Sequence, residues 1–193
     1  RQKEVSSSSS SFLEPPSRSI VIARRRLATT TVTTEAELTT ALNNNARIEL
    51  AADILLTSTI SINGLTGVFI DGKGFEINGN DAVRCFHIDT GAEVAISNLT
   101  ITRGLTPGWS SGGGLYIASS TTVVTMDRCT VSVNTASADD GGGLYISLAT
   151  VTMDRCTVSM NTALNWGGGL YIVHSATVVT MDRCTVSVNT ASI

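Results

Sequence analysis

Gly112-Gly113-Gly114-Leu115-Tyr116-Ile117 and Val124-Thr125-Met126-Asp127-Arg128-Cys129-Thr130-Val131-Ser132 decide the fold of this chain, because each stretch returns twice. The first recurs at 141–146 and 167–172, the second at 151–159 and 179–187, and Asn134, Asn161 and Asn189 follow the second block in turn. Cys129, Cys156 and Cys184 are therefore 27 and 28 residues apart. A period of that size marks a unit that cannot bury its apolar face alone and must stack on its neighbours. Working back, Val94–Thr102 is a degenerate copy with Leu99 in the cysteine position, and Val68-Phe69-Ile70-Asp71-Gly72 fits one unit earlier.

Within a copy the pattern predicts three strands, Leu115–Ile117, Val123–Asp127 and Cys129–Val133. The gaps leave no room for crossover helices, so the strands must pair in parallel by coiling, with coils about 4.8 Å apart. A crossover between parallel strands is almost always right-handed. Upstream, Ile48–Leu50, Ile54–Leu56, Ile60–Ile62, Val68–Ile70 and Phe75–Ile77 read as further strands, with Asn63-Gly64, Asp71-Gly72 and Asn78-Gly79 as turns. Alternation points Leu115, Ile117, Val124, Met126, Cys129, Val131 and Val133 inward, and Tyr116, Thr125, Asp127, Thr130 and Ser132 outward. The fold class is all-β, a right-handed parallel β-helix with a short N-terminal capping helix.

The ends set the domain limits. Residues 1–33 hold the serine run Ser6–Ser11, Pro15-Pro16 and Arg24-Arg25-Arg26 without apolar periodicity, and read as a disordered leader or linker. Thr34 followed by Glu35 and Glu37, with Leu38 and Leu42 at helical spacing, predicts a helix over 34–43 that covers the first coil. We place the β-helix at 34–193, with 34–47 as its cap and 48–193 as about five coils. Both ends of the chain read as cut from something longer.

Composition narrows the function. The chain of 193 residues is 42% hydrophobic and only 15% charged, with a net charge of −3. It offers no basic stripe for nucleic acid, and no apolar run approaches the roughly 20 residues of a membrane span.

The Gly-Gly-Gly-Leu-Tyr-Ile block with the Val131-Ser132-Val133-Asn134 block resembles the paired "GGA-I" and "F-x-x-N" motifs of chlamydial-type polymorphic outer-membrane proteins. Val131, Val158 and Val186 stand where that family favours Phe. More widely, about residues 45–193 resemble the pectin-lyase-like repeat families. The resemblance implies a secreted or surface-displayed, often adhesive protein, and it implies no catalytic residues.

The candidate chemistry is sparse. Polygalacturonases carry grouped carboxylates with Gly-His-Gly and Arg-x-Lys elements; here His87 and His174 lie between non-glycine neighbours, and the Arg-x-Lys spacing occurs at Arg1-Gln2-Lys3, outside the repeats, but not at Lys73. The repeated Asp-Arg pairs imitate the calcium and basic groups of a lyase, but they read better as a neutralised ladder in which Arg128, Arg155 and Arg183 stand beside Asp127, Asp154 and Asp182. Cys85, Cys129, Cys156 and Cys184 have no zinc-ligand spacing and read as buried free thiols. Thr100/Thr102, Thr130/Ser132, Thr157/Ser159 and Thr185/Ser187 form a double hydroxyl column similar to the arrays of ice-binding solenoids.

The outward column Tyr116, Tyr145 and Tyr171, with His87 in the matching position above, is the candidate binding stripe, joined by Trp109, Asp139, Asp140 and Trp166 in the turns before the glycines. The sequence names no catalytic residue, metal ligand or cofactor. It reads as a non-enzymatic secreted or cell-surface module for adhesion, glycan binding or matrix assembly, with a polysaccharide or another surface protein as partner. A carbohydrate-active β-helix enzyme whose active coils lie elsewhere is the alternative, and an ice-binding solenoid the third reading.

Overall fold

The computed structural model describes residues 28–106, 108 and 110–192. The chain winds into a parallel β-solenoid of about 5 turns. Its strands stack into four ladders, a seven-stranded, a six-stranded, a five-stranded and a four-stranded sheet. The repeats lie in register, like on like: Val124 beside Val151 and then Val179, Met126 beside Met153 and then Met181, Tyr116 beside Tyr145 and then Tyr171.

Three strands per coil is one too few. Thr135–Ala136, Thr162–Ala163 and Thr190–Ala191 form a fourth ladder with Leu105–Thr106. Each is only two residues long, too short for alternation to reveal it. The third strand is also shorter than predicted. It spans Thr130–Ser132, and Cys129 sits in the turn before it, still buried at 1% exposure. Val133 does not point inward as alternation predicts: it adopts a left-handed φ of 58° and is 45% exposed. One left-handed residue breaks the period of two, and the side chain that turns inward instead is Asn134, fully buried. Ser132, expected outward, is buried, as is Thr102 above it.

Asn134, Asn161 and Asn189 form an internal amide ladder. Asn134 Nδ2 donates to Asn161 Oδ1 (2.9 Å) and to Ile101 O (3.1 Å), and Asn161 Nδ2 donates to Asn189 Oδ1 (3.0 Å) and to Val131 O (2.9 Å). The same side-chain oxygens accept the backbone N–H of the preceding asparagine, so the buried turn leaves no polar group of the ladder unpaired. The glycine triplets make room for it. The first of each adopts a left-handed φ (Gly112 71°, Gly141 66°, Gly167 63°), whereas the others are needed for close approach. A Cβ on Gly143 would lie 2.5 Å from Gly169 O and 3.0 Å from the amide of Asn161.

At the N-terminal end, helix α1 (Glu35–Ala41) starts at Thr34, whose Oγ1 accepts the N–H of Glu37 at 3.2 Å. Leu38 from α1 closes the first coil and is fully buried. Within the stretch expected as a leader or linker, strand β1 (Thr29–Val32) pairs in parallel with Arg47–Leu50 and belongs to the solenoid. Val32 at its end is fully buried, so a single apolar residue anchors a segment that otherwise reads as polar. Ser6–Ser11, Pro15-Pro16 and Arg24–Arg26 lie outside the described residues. In the last coil Ile172, Met181 and Val186 keep the inward direction but are 48%, 38% and 51% exposed.

Candidate functional site

The turn at each glycine triplet delivers its strand with the tyrosine outward, so successive coils place one aromatic ring above another. Tyr116 and Tyr145 stack with centroids 5.0 Å apart and planes 4° from parallel; Tyr145 and Tyr171 follow at 5.7 Å and 35°. His87 meets Tyr116 edge-on at 4.9 Å, and Trp166 extends the column past Tyr171 at 6.3 Å and 18°. The faces of the central tyrosines are thus spent on one another, and what they offer outward is ring edges and hydroxyls. Trp166, 52% exposed, is the ring with surface to spare. Burial, then the neighbouring Tyr116, holds the Tyr145 phenol above its usual pKa, which keeps it a hydroxyl donor.

Beside the column lies a recess of about 370 Å³ lined by Arg84, His87, Ser111, Tyr116, Asp139 and Tyr145. Asp139 accepts the hydroxyl of Ser111 at 2.9 Å, which fixes a carboxylate at its rim. Arg84 braces the other side: its Nε donates to Gly112 O at 2.9 Å and its Nη2 to Ser111 O at 2.6 Å, while its guanidinium carbon stands 5.0 Å from the Tyr116 ring centre. Burial, then the nearby Arg84 charge, pushes the His87 imidazole below its usual pKa against the pull of Asp89, 3.8 Å away. These causes favour the neutral imidazole.

Tyr116, Tyr145, Tyr171 and Trp166 lie in one column, and Asp139 lines the recess beside it. Asp140 does neither: it is 8% exposed, and its Oδ1 accepts the Trp166 N–H at 3.1 Å, so it pins the turn that carries the tryptophan. Trp109 lies outside the described residues. Arg84 escapes a reading of the repeats because it occurs in one coil alone. The only signal is register: extending the pairing of Phe86 with Leu115 back two residues sets Arg84 opposite Gly113, at the turn.

The Asp-Arg column is a zipper. Arg155 reaches Asp127 in the coil above (2.6 Å) and its own Asp154 (2.9 Å), and Arg183 repeats this with Asp154 (2.8 Å) and Asp182 (3.0 Å). These carboxylates are neutralised by the fold. Among the described residues no group of three or more His, Cys, Asp or Glu is placed to hold a metal ion, and no helix is long and apolar enough to cross a membrane. All four cysteines are free, and burial pushes the Cys85 thiol up to about 12.

The family model described as right-handed beta helix region matches residues 40–193. No curated protein and no solved structure matches the chain.

Proposed function

Because this chain belongs to the right-handed β-helix family, we propose that it is a non-enzymatic binding module, secreted or displayed at a cell surface, that serves adhesion or matrix assembly by holding a polysaccharide along its aromatic edge. The observation that carries this reading is the column from His87 to Trp166, running along the solenoid axis beside a recess that mixes donors and acceptors. Sugar hydroxyls need both kinds of partner, and Arg84, the tyrosine hydroxyls and Asp139 supply them. A rigid scaffold holds these groups at fixed spacing before any ligand arrives, which lowers the entropic cost of binding.

The same geometry disfavours the other readings. A lyase would draw on the Asp127 and Asp154 carboxylates, which are already tied to arginines. An ice-binding face needs both hydroxyl columns open, yet Thr102 and Ser132 are 7% and 9% exposed.

Immobilised neutral and acidic polysaccharides test the proposal. Purified protein is expected to bind at least one of them and to cleave none, polygalacturonate included, with or without calcium. Trp166→Ala is expected to weaken that binding about tenfold, the loss of roughly 1.4 kcal/mol, with little change in melting because the ring is half exposed. Binding indifferent to Trp166→Ala and Tyr145→Phe would discard the aromatic edge. Calcium-dependent cleavage lost in Asp127→Ala would replace the module with an enzyme.

A further inference from the structure

The aromatic column has a fixed step. His87, Tyr116, Tyr145 and Tyr171 are partners in register, one per coil, and their rings follow one another at 4.9, 5.0 and 5.7 Å. Ser61 holds the same place one coil earlier, so the aromatic stretch is four rungs long. A second row runs beside it at the glycine turns. Asp139 accepts the Ser111 hydroxyl through its carboxylate, and its backbone carbonyl accepts the Asn165 N–H at 3.4 Å, which sets Asp139 and Asn165 one coil apart. Both of these side chains are half buried.

The two rows therefore repeat at the coil spacing, about 4.8 Å. A single sugar spans one or two rungs and leaves the others unused. A polymer whose own repeat matches the coil meets the same kind of group at every step, and each added sugar binds as an intramolecular event. Pyranose chains linked 1,4 through equatorial bonds are extended ribbons that advance by close to one coil per sugar. An α-1,4-linked glucan instead curls away from a straight edge within a few sugars. Successive sugars of a ribbon turn opposite edges to whatever they lie on. A phenol hydroxyl both donates and accepts, so a tyrosine at each rung serves either edge. The Asp139 carboxylate in the second row and the net charge of −3 repel an acidic chain.

We propose that the aromatic column takes an uncharged, ribbon-like 1,4-linked glycan lengthwise, parallel to the solenoid axis, at one sugar per coil. The inference rests on the polysaccharide reading above and adds to it the direction, the repeat and the linkage of the chain.

Oligosaccharides of one to six sugars from cellulose, mannan and chitin are the probes, with the maltose series as control. Each is titrated into isotope-labelled protein while the amides of Tyr116, Tyr145 and Tyr171 are followed by NMR. In at least one ribbon series affinity is expected to rise about tenfold from two sugars to four and to stay level from four to six, with all three tyrosines shifting together at four. The maltose series should show no such rise. Tyr145→Ser cuts the column at an inner rung with a residue that Ser61 already places in it; it should bring the four-sugar ligand down to the affinity of two. Affinity that is level from one sugar upward, or a maltose series that climbs equally, would overturn the lengthwise placement and leave glycan binding standing. Binding confined to acidic polysaccharides would sink the uncharged ribbon, again without touching the broader reading. A protein that binds neither charged nor uncharged glycans would remove the polysaccharide reading itself, and this inference with it.

Discussion

At Gly142 a side chain would meet Thr162 O at 2.2 Å and Gly168 O at 2.5 Å, both of them backbone atoms that cannot swing aside. The φ of this residue is ordinary; what forbids a Cβ is the neighbouring turn. Gly142→Val is therefore expected to destabilise the protein by about 1–3 kcal/mol, read from the denaturant midpoint, and Gly142→Ala to lose much of the same amount. Asn161→Ala attacks the same turn from inside. It strands the Asn134 N–H in a buried site, at about 1–3 kcal/mol. His87 supplies a pH signature. Its folded pKa lies below the unfolded value of about 6.5, so the unfolded chain takes up the proton first. The stability His87 contributes is full above that value and is lost as pH falls through it toward the folded one. Melting measured between about pH 7 and pH 5 should fall less steeply in His87→Gln than in the parent; parallel curves would show that imidazole burial has no such effect.

Among the ladders, the Asp-Arg zipper teaches most about what a repeat can and cannot change. Arg128, Arg155 and Arg183 all take left-handed φ, 51°, 52° and 51°, and so does Asn98 at 49° in the rung above them. Asn98 donates to Asp71 at 3.1 Å and accepts from Arg128 Nε at 2.7 Å, so asparagine already fills this rung in one coil. Arg155→Asn should consequently cost less than about 1 kcal/mol, the range for exposed pairs, and the cost should shrink further in high salt. The cysteine ladder grades by position: Cys85, Cys129 and Cys156 are at most 1% exposed, while Cys184 in the last coil is partly open. One thiol per chain is expected to react quickly with an aromatic disulfide reagent and three only on unfolding; Cys184→Ser should abolish the fast phase. These ladders were legible because like residues stack on like, and a period near 27 residues fixes which pairs meet. The faces of Val133 and Ser132 were not, since alternation holds only while the backbone stays extended and Val133 breaks it. Arg84 was hidden for the opposite reason: a residue that appears in one coil leaves no pattern, and its role emerges only when the Gly112–Gly114 turn folds over it.

Taken whole, the solenoid has a blocked first coil, where α1 and β1 lie over the core, and a column of coils whose contacts are nearly all between neighbours. Such arrays lose stability from the less protected end. Hydrogen exchange should accordingly be slowest in the middle coils, at the buried Ile70 and Ile96. The like-on-like register has a further consequence. Asn134-Thr135 and Asn161-Thr162 are the same dipeptide in the same place, one coil apart. Excising residues 135–161 would join Asn134 directly to Thr162 and set Val179 on Val124, Met181 on Met126 and Tyr171 on Tyr116, contacts of the kind the molecule already makes. The interface between coils is thus an interchangeable joint, and the length of this molecule is a variable that can be edited in whole units: a chain shortened by that segment should still fold, with a lower melting temperature and an aromatic column one ring shorter.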